Sequence, residues 1–258
     1  MKAFVFVLII ASILSVGLFA WSGDQPASLT RTPVLVELFT SEGCSDCPPA
    51  DAFLGKLDQQ PVAAKELIVL SEHVDYWNHD GWTDPHSSHA LTERQDEYVH
   101  QFHLESVYTP QMIVDGSTQF VGNNTKQAET VLTADSSRMP VSIQITGVAV
   151  DGRTVRAHID VATLPGHSRK SDVLFVVALN HAESQVAKGE NAGRHLVHVA
   201  VVRGLSRVGT IDSKTAFSRE VSIKLDKLVE KSELRVIAFV QEPGPGRVLG
   251  AAMQRLAE

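Results

Sequence analysis

The stretch Val34-Leu-Val-Glu-Leu-Phe-Thr-Ser-Glu-Gly-Cys44-Ser-Asp-Cys47-Pro-Pro-Ala-Asp-Ala-Phe-Leu-Gly-Lys-Leu57 holds the only two cysteines among 258 residues. Its first part, Val34 to Phe39, is apolar and β-rich and reads as a buried strand. In its last part Ala50, Phe53, Leu54 and Leu57 recur at helical spacing, so a helix runs from Pro48 to about Leu57. The cysteines therefore stand on a strand-to-helix turn. Free backbone N–H groups and the helix dipole favour a thiolate there, and a Cys-X-X-Cys pair so placed reads as a thiol-disulfide redox motif. Glu42 and Asp46 oppose the lowering of the thiol pKa.

Two cysteines cannot build the disulfide framework of a small secreted fold, so the pair is redox-active, a local structural bridge, or half of a metal site. A bridge closing so few residues removes little chain entropy and is a poor staple. The chain is 43% hydrophobic, enough for real cores, and its net charge of -7 argues against nucleic acid as a partner. Residues 1–20 begin Met1-Lys2 and continue as an uncharged apolar run to Ala20, an export signal. A cleaved signal peptide and an uncleaved anchor are both open. Either places the body outside the cytosol, periplasmic or extracellular, and only the second implies a membrane. Residues 21–32 read as a linker.

After the Cys44 turn and its helix, Glu66 to Ser71 is a second buried strand, and the strand-helix-strand order implies a parallel crossover. Residues 73–89 hold two of the three tryptophans and four of the eleven histidines. This segment opens an insertion, residues 73–105, that suits a substrate-binding lid bearing Trp77 and Trp82, a metal site using His73, His79, His86 or His89 with the cysteines, or a helical cover. A helix from Ser87 or Ser88 to about Leu104 closes it. Two short strands follow about the Asp115-Gly116 hairpin turn, then a helix from Asn124 or Thr125. After Pro140 only strands remain, seven short runs that suggest a β-sandwich.

The order strand, Cys-X-X-Cys helix, strand, Thr109-Pro110, hairpin, helix resembles the thioredoxin superfamily. More closely, Val36 to Asp51, His73-Val-Asp-Tyr-Trp77 and Tyr108-Thr-Pro-Gln-Met-Ile-Val-Asp-Gly116 look like the uncharacterised exported bacterial family catalogued as domain of unknown function 1223. The resemblance implies an α/β thioredoxin-like domain over residues 33–138 followed by an all-β sandwich domain over 139–258. It implies thiol-disulfide exchange with protein or peptide thiols and an unidentified redox partner, through Cys44 as attacking and Cys47 as resolving sulfur. It also implies that Thr109-Pro110 is a cis bond beside the sulfurs in the substrate groove, and that Glu37 is a buried carboxylate moving protons for the second cysteine. The chain departs from the superfamily in lacking an aromatic residue before Cys44 and the usual proline between the cysteines. No cofactor and no resident metal are expected. Two other functions stay open: a metallochaperone holding Cu(I) through both thiolates, and a non-catalytic binding protein with an inert structural disulfide.

Overall fold

The computed structural model describes residues 31–257 except 61, 63, 64, 80, 135–139 and 167. The signal segment and most of the linker lie outside the described residues. Where the spacing of apolar residues implied elements, elements are found. Strand β1 (Thr32–Thr40), helix α1 (Pro48–Gln59), strand β2 (Lys65–His73), helix α2 (His89–Phe102), the hairpin β3 (Gln111–Val114) and β4 (Thr118–Val121), and helix α3 (Thr125–Thr133) follow in order. Strands β5 (Ile143–Asp151), β6 (Thr154–Val161), β7 (Ser171–Gln185), β8 (His195–Ile211), β9 (Phe217–Lys224), β10 (Leu234–Gln241) and β11 (Val248–Arg255) complete the chain. The Asp115-Gly116 turn has positive φ at both residues, 48° and 61°, as a tight hairpin of this type requires.

The assembly of these elements corrects the expected fold class. The chain is not a thioredoxin-like domain joined to a separate sandwich. It is mostly β, with 46% of the described residues in strands and 18% in helices. One mixed sheet of eight strands runs in the order β11-β10-β7-β8-β2-β1-β3-β4, and β5-β6-β9 form a small second sheet. Strand β8, from the C-terminal half, pairs in parallel with β2 at Val201 and Ser71. The reason lies in the side chains. A strand of a two-sheet sandwich buries one face and alternates; β10 instead buries every residue from Leu234 to Gln241, and β7 buries Val173 to Ala178 without interruption. Such strands need cover on both sides. Val173, Phe175, Val177, Val236, Ala238 and Val240 pack under the small sheet with Val155, Ile159 and Ile223. Their alternates Leu174, Val176, Ile237 and Phe239 pack with Leu35, Ile68 and Leu70 of β1 and β2 and with Leu91 of α2.

On the other face of β1 and β2, Val36, Leu38 and Val69 pack with Ala50, Leu54 and Leu57 of α1 and with Ala128 and Leu132 of α3. Helix α1 is further tied to the C-terminal strands by Arg235, which is 1% exposed and holds both oxygens of Asp58 at 2.6 and 3.0 Å. A buried guanidinium is tolerated in this bidentate form because Asp58 and Asn180 together accept four hydrogen bonds from it.

Two outcomes follow for stability. A fragment of residues 31–138 leaves the β2 edge and the apolar faces of β1 and β2 uncovered, so it should aggregate or remain unfolded, whereas the chain from residue 31 onward should melt in one transition by calorimetry. Arg94→Met, which strips the cation from a buried ion pair with Glu37, should lower the free energy of unfolding by about 3–5 kcal/mol in urea titrations.

Candidate functional site

The site is the turn that joins β1 to α1. The Cys44 N–H donates to the Ser41 carbonyl at 3.2 Å and the Cys47 N–H to the Cys44 carbonyl at 3.3 Å, which folds residues 41–47 into two successive turns. Cys47 is the residue that caps α1, with Pro48 at its first position, where the missing N–H costs nothing. Cys44 and Cys47 form a disulfide with Cα atoms 5.4 Å apart. Ser45 and Asp46 are exposed, while Cys44 and Cys47 are only 1% and 0% exposed. Both cysteines are covered, including Cys44, the expected attacking sulfur.

Three parts of the chain surround the turn. The first is Thr109-Pro110, whose peptide bond is cis. The Pro110 carbonyl accepts from the Gly122 N–H at 2.8 Å. A Cβ on Gly122 would stand 2.7 Å from the Leu38 side chain, 3.1 Å from Pro110 and 3.2 Å from Ala50, so glycine lets proline, strand and α1 meet one turn from Cys47. The second is the insertion. Trp77 donates its indole N–H to the Thr109 hydroxyl at 2.8 Å, and its Cβ lies so close to Gly43 that a side chain there would stand 2.9 Å away. Trp82 donates to Glu42 Oε2 at 2.8 Å. Trp82 thus holds the cysteine turn by a hydrogen bond and Trp77 by close packing at Gly43, both half-buried.

The third part was invisible in the sequence: the loop between β7 and β8. The Asn191 side-chain amide donates to the carbonyls of Glu42 and Cys44, each at 2.9 Å, and the residue is 1% exposed. Beside it, Glu190 accepts the Ser45 N–H at 3.1 Å. Gly189 and Gly193, both with φ near 80°, turn the loop back on itself and aim these two side chains at the cysteines.

Glu37 is buried, but its side chain points to the face opposite α1. There it accepts from Arg94 Nε at 2.7 Å and from the Tyr98 hydroxyl at 2.6 Å. Glu72 shares this pocket 3.6 Å from Arg94, and burial, with Glu37 beside it, raises its carboxyl well above the ordinary range.

The buried polar groups on the cysteine side are others. Thr40 donates to Asp51 Oδ1 at 2.9 Å, and Asp51, one helical turn after Cys47, bonds its N–H to the Cys47 carbonyl. Between Asp51 and Glu42 stands His198 of β8, its side chain fully buried, with Nε2 3.5 Å from Glu42 Oε1 and Nδ1 3.7 Å from Asp51 Oδ1. Both contacts are longer than an ordinary hydrogen bond and hold the imidazole between two carboxylates. Burial would lower the imidazole pKa; the two carboxylates outweigh it and raise it to about 10.

His73 lies against His198, ring centroids 4.6 Å apart, and holds Asp84 Oδ2 at 2.7 Å. Asp84 also accepts the backbone N–H groups of Glu42 and His86. Burial works against its ionisation, yet His73 beside it and these bonds hold its carboxyl well below the ordinary range. His86 is pulled down to about 4 by burial and by His73. Of the four insertion histidines, His73 and His86 thus turn inward, and His79 and His89 lie at the surface. Among the described residues no three His, Cys, Asp or Glu side chains are placed to hold a metal ion. A sign of His198 was present in the sequence, a lone imidazole within the apolar run Leu196 to Val202.

Comparison with known proteins places these features. No match is found among the curated proteins. The solved structure of protein AGR_C_4864 from Agrobacterium tumefaciens is similar at 27% identity and TM-score 0.66, covering 88% of this chain and 96% of that one. That of HBP35 from Porphyromonas gingivalis, at 15% identity, TM-score 0.64 and coverage of 88% and 76%, shares the fold. A family model matches residues 35–241, which takes in the cysteine turn, the insertion, Asn191 and His198, and by that match the chain belongs to the family described as protein of unknown function DUF1223.

Proposed function

We propose that this protein is an exported thiol-disulfide oxidoreductase that acts on protein or peptide thiols. The observation that carries the reading is the Cys44–Cys47 disulfide at the first turn of α1, with Pro110 and Ala50 of that turn both bordering Gly122. The pair, the helix end and the proline are what the chain has in common with the thioredoxin superfamily, and it is the chemistry of that motif that carries over, not a fold. The apolar run in residues 1–20, with its single positive start, supports export.

The exchange balances as follows. A substrate thiolate attacks the Cys44 sulfur; the Cys44–Cys47 bond breaks and Cys47 leaves as thiolate. A second substrate thiol then attacks the mixed disulfide and releases Cys44. The substrate loses two electrons and two protons, the cysteine pair gains them, and an external redox partner restores the starting state. In the opposite direction the same steps reduce a substrate disulfide.

Burial favours a second reading, an inert structural bridge, because attack requires an open sulfur and both cysteines are covered. In the favoured reading the cover is mobile: Asn191 and Glu190 hold the turn by three hydrogen bonds from a surface loop, and their release opens the Cys44 side.

Mild reductant should open the bridge in the folded protein, and Cys47→Ser should accumulate mixed disulfides at Cys44 in the native compartment while Cys44→Ser captures nothing. Mass mapping of thiols checks both, and a bridge that opens only in denaturant establishes the structural reading instead. Asn191→Ala should speed reduction by dithiothreitol severalfold in stopped-flow measurements, with the unfolding midpoint little changed.

A further inference from the structure

The acidity of the cysteine thiols decides how fast the reduced pair exchanges, and charges near the turn set that acidity. By sequence, Glu42 stands two residues before Cys44 and Asp51 four after Cys47. Residues four apart on a helix have Cβ atoms about 6 Å apart, which puts Asp51 and Cys47 on one face of the first turn of α1, where a carboxylate raises the cost of a thiolate. Glu42 sits in the turn itself and is fully buried. Two uncompensated carboxylates would make this a poor place for a thiolate despite the helix N-terminus.

They are not uncompensated. His198 reaches in from β8 between them, 3.5 Å from one and 3.7 Å from the other, with its side chain fully buried. The other groups that face it are accounted for. His73 on β2 contacts its ring and is bound to Asp84 of the insertion. His86 lies 6.2 Å away, centroid to centroid, and 3.9 Å from Glu42. Lys56, His181 and His195 line the outer groove between α1 and β8, of about 460 Å³, beyond His198. On the far side Glu190 approaches Ser45 from the loop.

We infer that His198 is a positioning residue that neutralises Glu42 and Asp51 around the cysteine pair and thereby sets the acidity of its thiols. This rests on the reading of the pair as redox-active, but the quantity it fixes, a thiol pKa, is measurable whether or not a protein substrate is ever found. Removal of the imidazole cation exposes the thiolate to both carboxylates. Removal of either carboxylate has the opposite effect, since it leaves the cation in excess.

The test is the pH dependence of iodoacetamide alkylation of the reduced full chain, read on Cys44. His198→Gln should raise the apparent thiol pKa by about one unit, a tenfold slower alkylation at a fixed pH below it. Glu42→Gln should lower it, and the double variant should fall near the wild type. A purely structural His198 predicts no such opposition of sign. A folded His198→Gln with an unchanged thiol pKa overturns the inference. Should that variant not fold, Glu42→Gln and Asp51→Asn decide alone, and an unchanged or raised thiol pKa in both overturns it.

A second readout follows the histidine itself. Its folded pKa of about 10 lies above the ordinary value of 6.5, so its stabilisation is complete below pH 6.5 and is lost as pH rises through about 10. Urea midpoints should fall over that window in the wild type and less so in His198→Gln. If thiol acidity shifts as stated but Cys47→Ser traps no protein, the inference stands and the oxidoreductase reading falls. If trapping succeeds and acidity does not shift, only the inference falls.

Discussion

The parallel contact between β2 and β8, made at Ser71 and Val201, is the joint on which the rest depends. It is one register point, and it turns two runs of strands into a single sheet. Because β8 joins the sheet beside β2, the residues that precede Val201 run past α1, and His198 arrives between Glu42 and Asp51. The β7–β8 loop, farther back along the same hairpin, arrives over Cys44. Neither group could reach the cysteines from an independent domain held by a linker, since hydrogen bonds of 2.9 Å and ion pairs of 3.5 Å require fixed neighbours.

Charge burial follows the same constraint. A sheet covered on both faces leaves its carboxylates without water, and each must be paired, hydrogen-bonded or protonated. Glu37 takes Arg94 and Tyr98, Asp58 takes Arg235, and Glu72 has its carboxyl pKa raised well above the ordinary range. These solutions leave the charge balanced away from the cysteines. At the cysteine turn the solution is different in kind: His198 is held between two carboxylates, and its charge is given up as pH rises through about 10. An arginine in its place would fix the charge permanently.

Local order was legible because it is written in local patterns: the apolar run of β1, the helical spacing of Ala50, Leu54 and Leu57, and the Asp115-Gly116 turn. So was the pairing of Cys44 with Cys47. The joining of the halves was not, since seven strands of suitable length are equally consistent with a sandwich. The contrary sign was the unbroken apolar composition of Val173 to Leu179 and Val236 to Val240, against the alternation in Thr154 to Val161. Glu37 shows how a correct observation misleads: a carboxylate in an apolar strand is indeed buried, but strand alternation sets it on the face of Leu35 and Phe39, while Val36, Leu38 and Thr40 face α1. Counting by twos from Leu38 reaches Thr40, and Thr40 leads to Asp51. Asn191 and His198 lie about 150 residues from the cysteines, and nothing in their own neighbourhoods reveals that separation closing.

A covered disulfide is consistent with exchange only if the cover is weaker than the fold beneath it. The turn is anchored below by β1, by α1 and by the Pro110 contact, all continuous with the apolar core around Leu38, Ala50 and Leu54. The cover has no such core. Glu190 is exposed, Ser45 and Asp46 are exposed, and three hydrogen bonds hold the loop down. Net hydrogen-bond contributions of about 1 kcal/mol each make such a contact open far more often than the protein unfolds. The Asn191 amide also leaves its carbonyl oxygen buried without a partner, so the closed state is not fully satisfied. In the exchange we propose, release of this loop opens the Cys44 side of the bond, and His198 and Asp51 belong to β8 and α1, outside the loop that moves. The asymmetry that the proposed exchange needs, one sulfur approachable and one enclosed, is absent from the closed structure, and release of this one loop is the motion we propose to supply it.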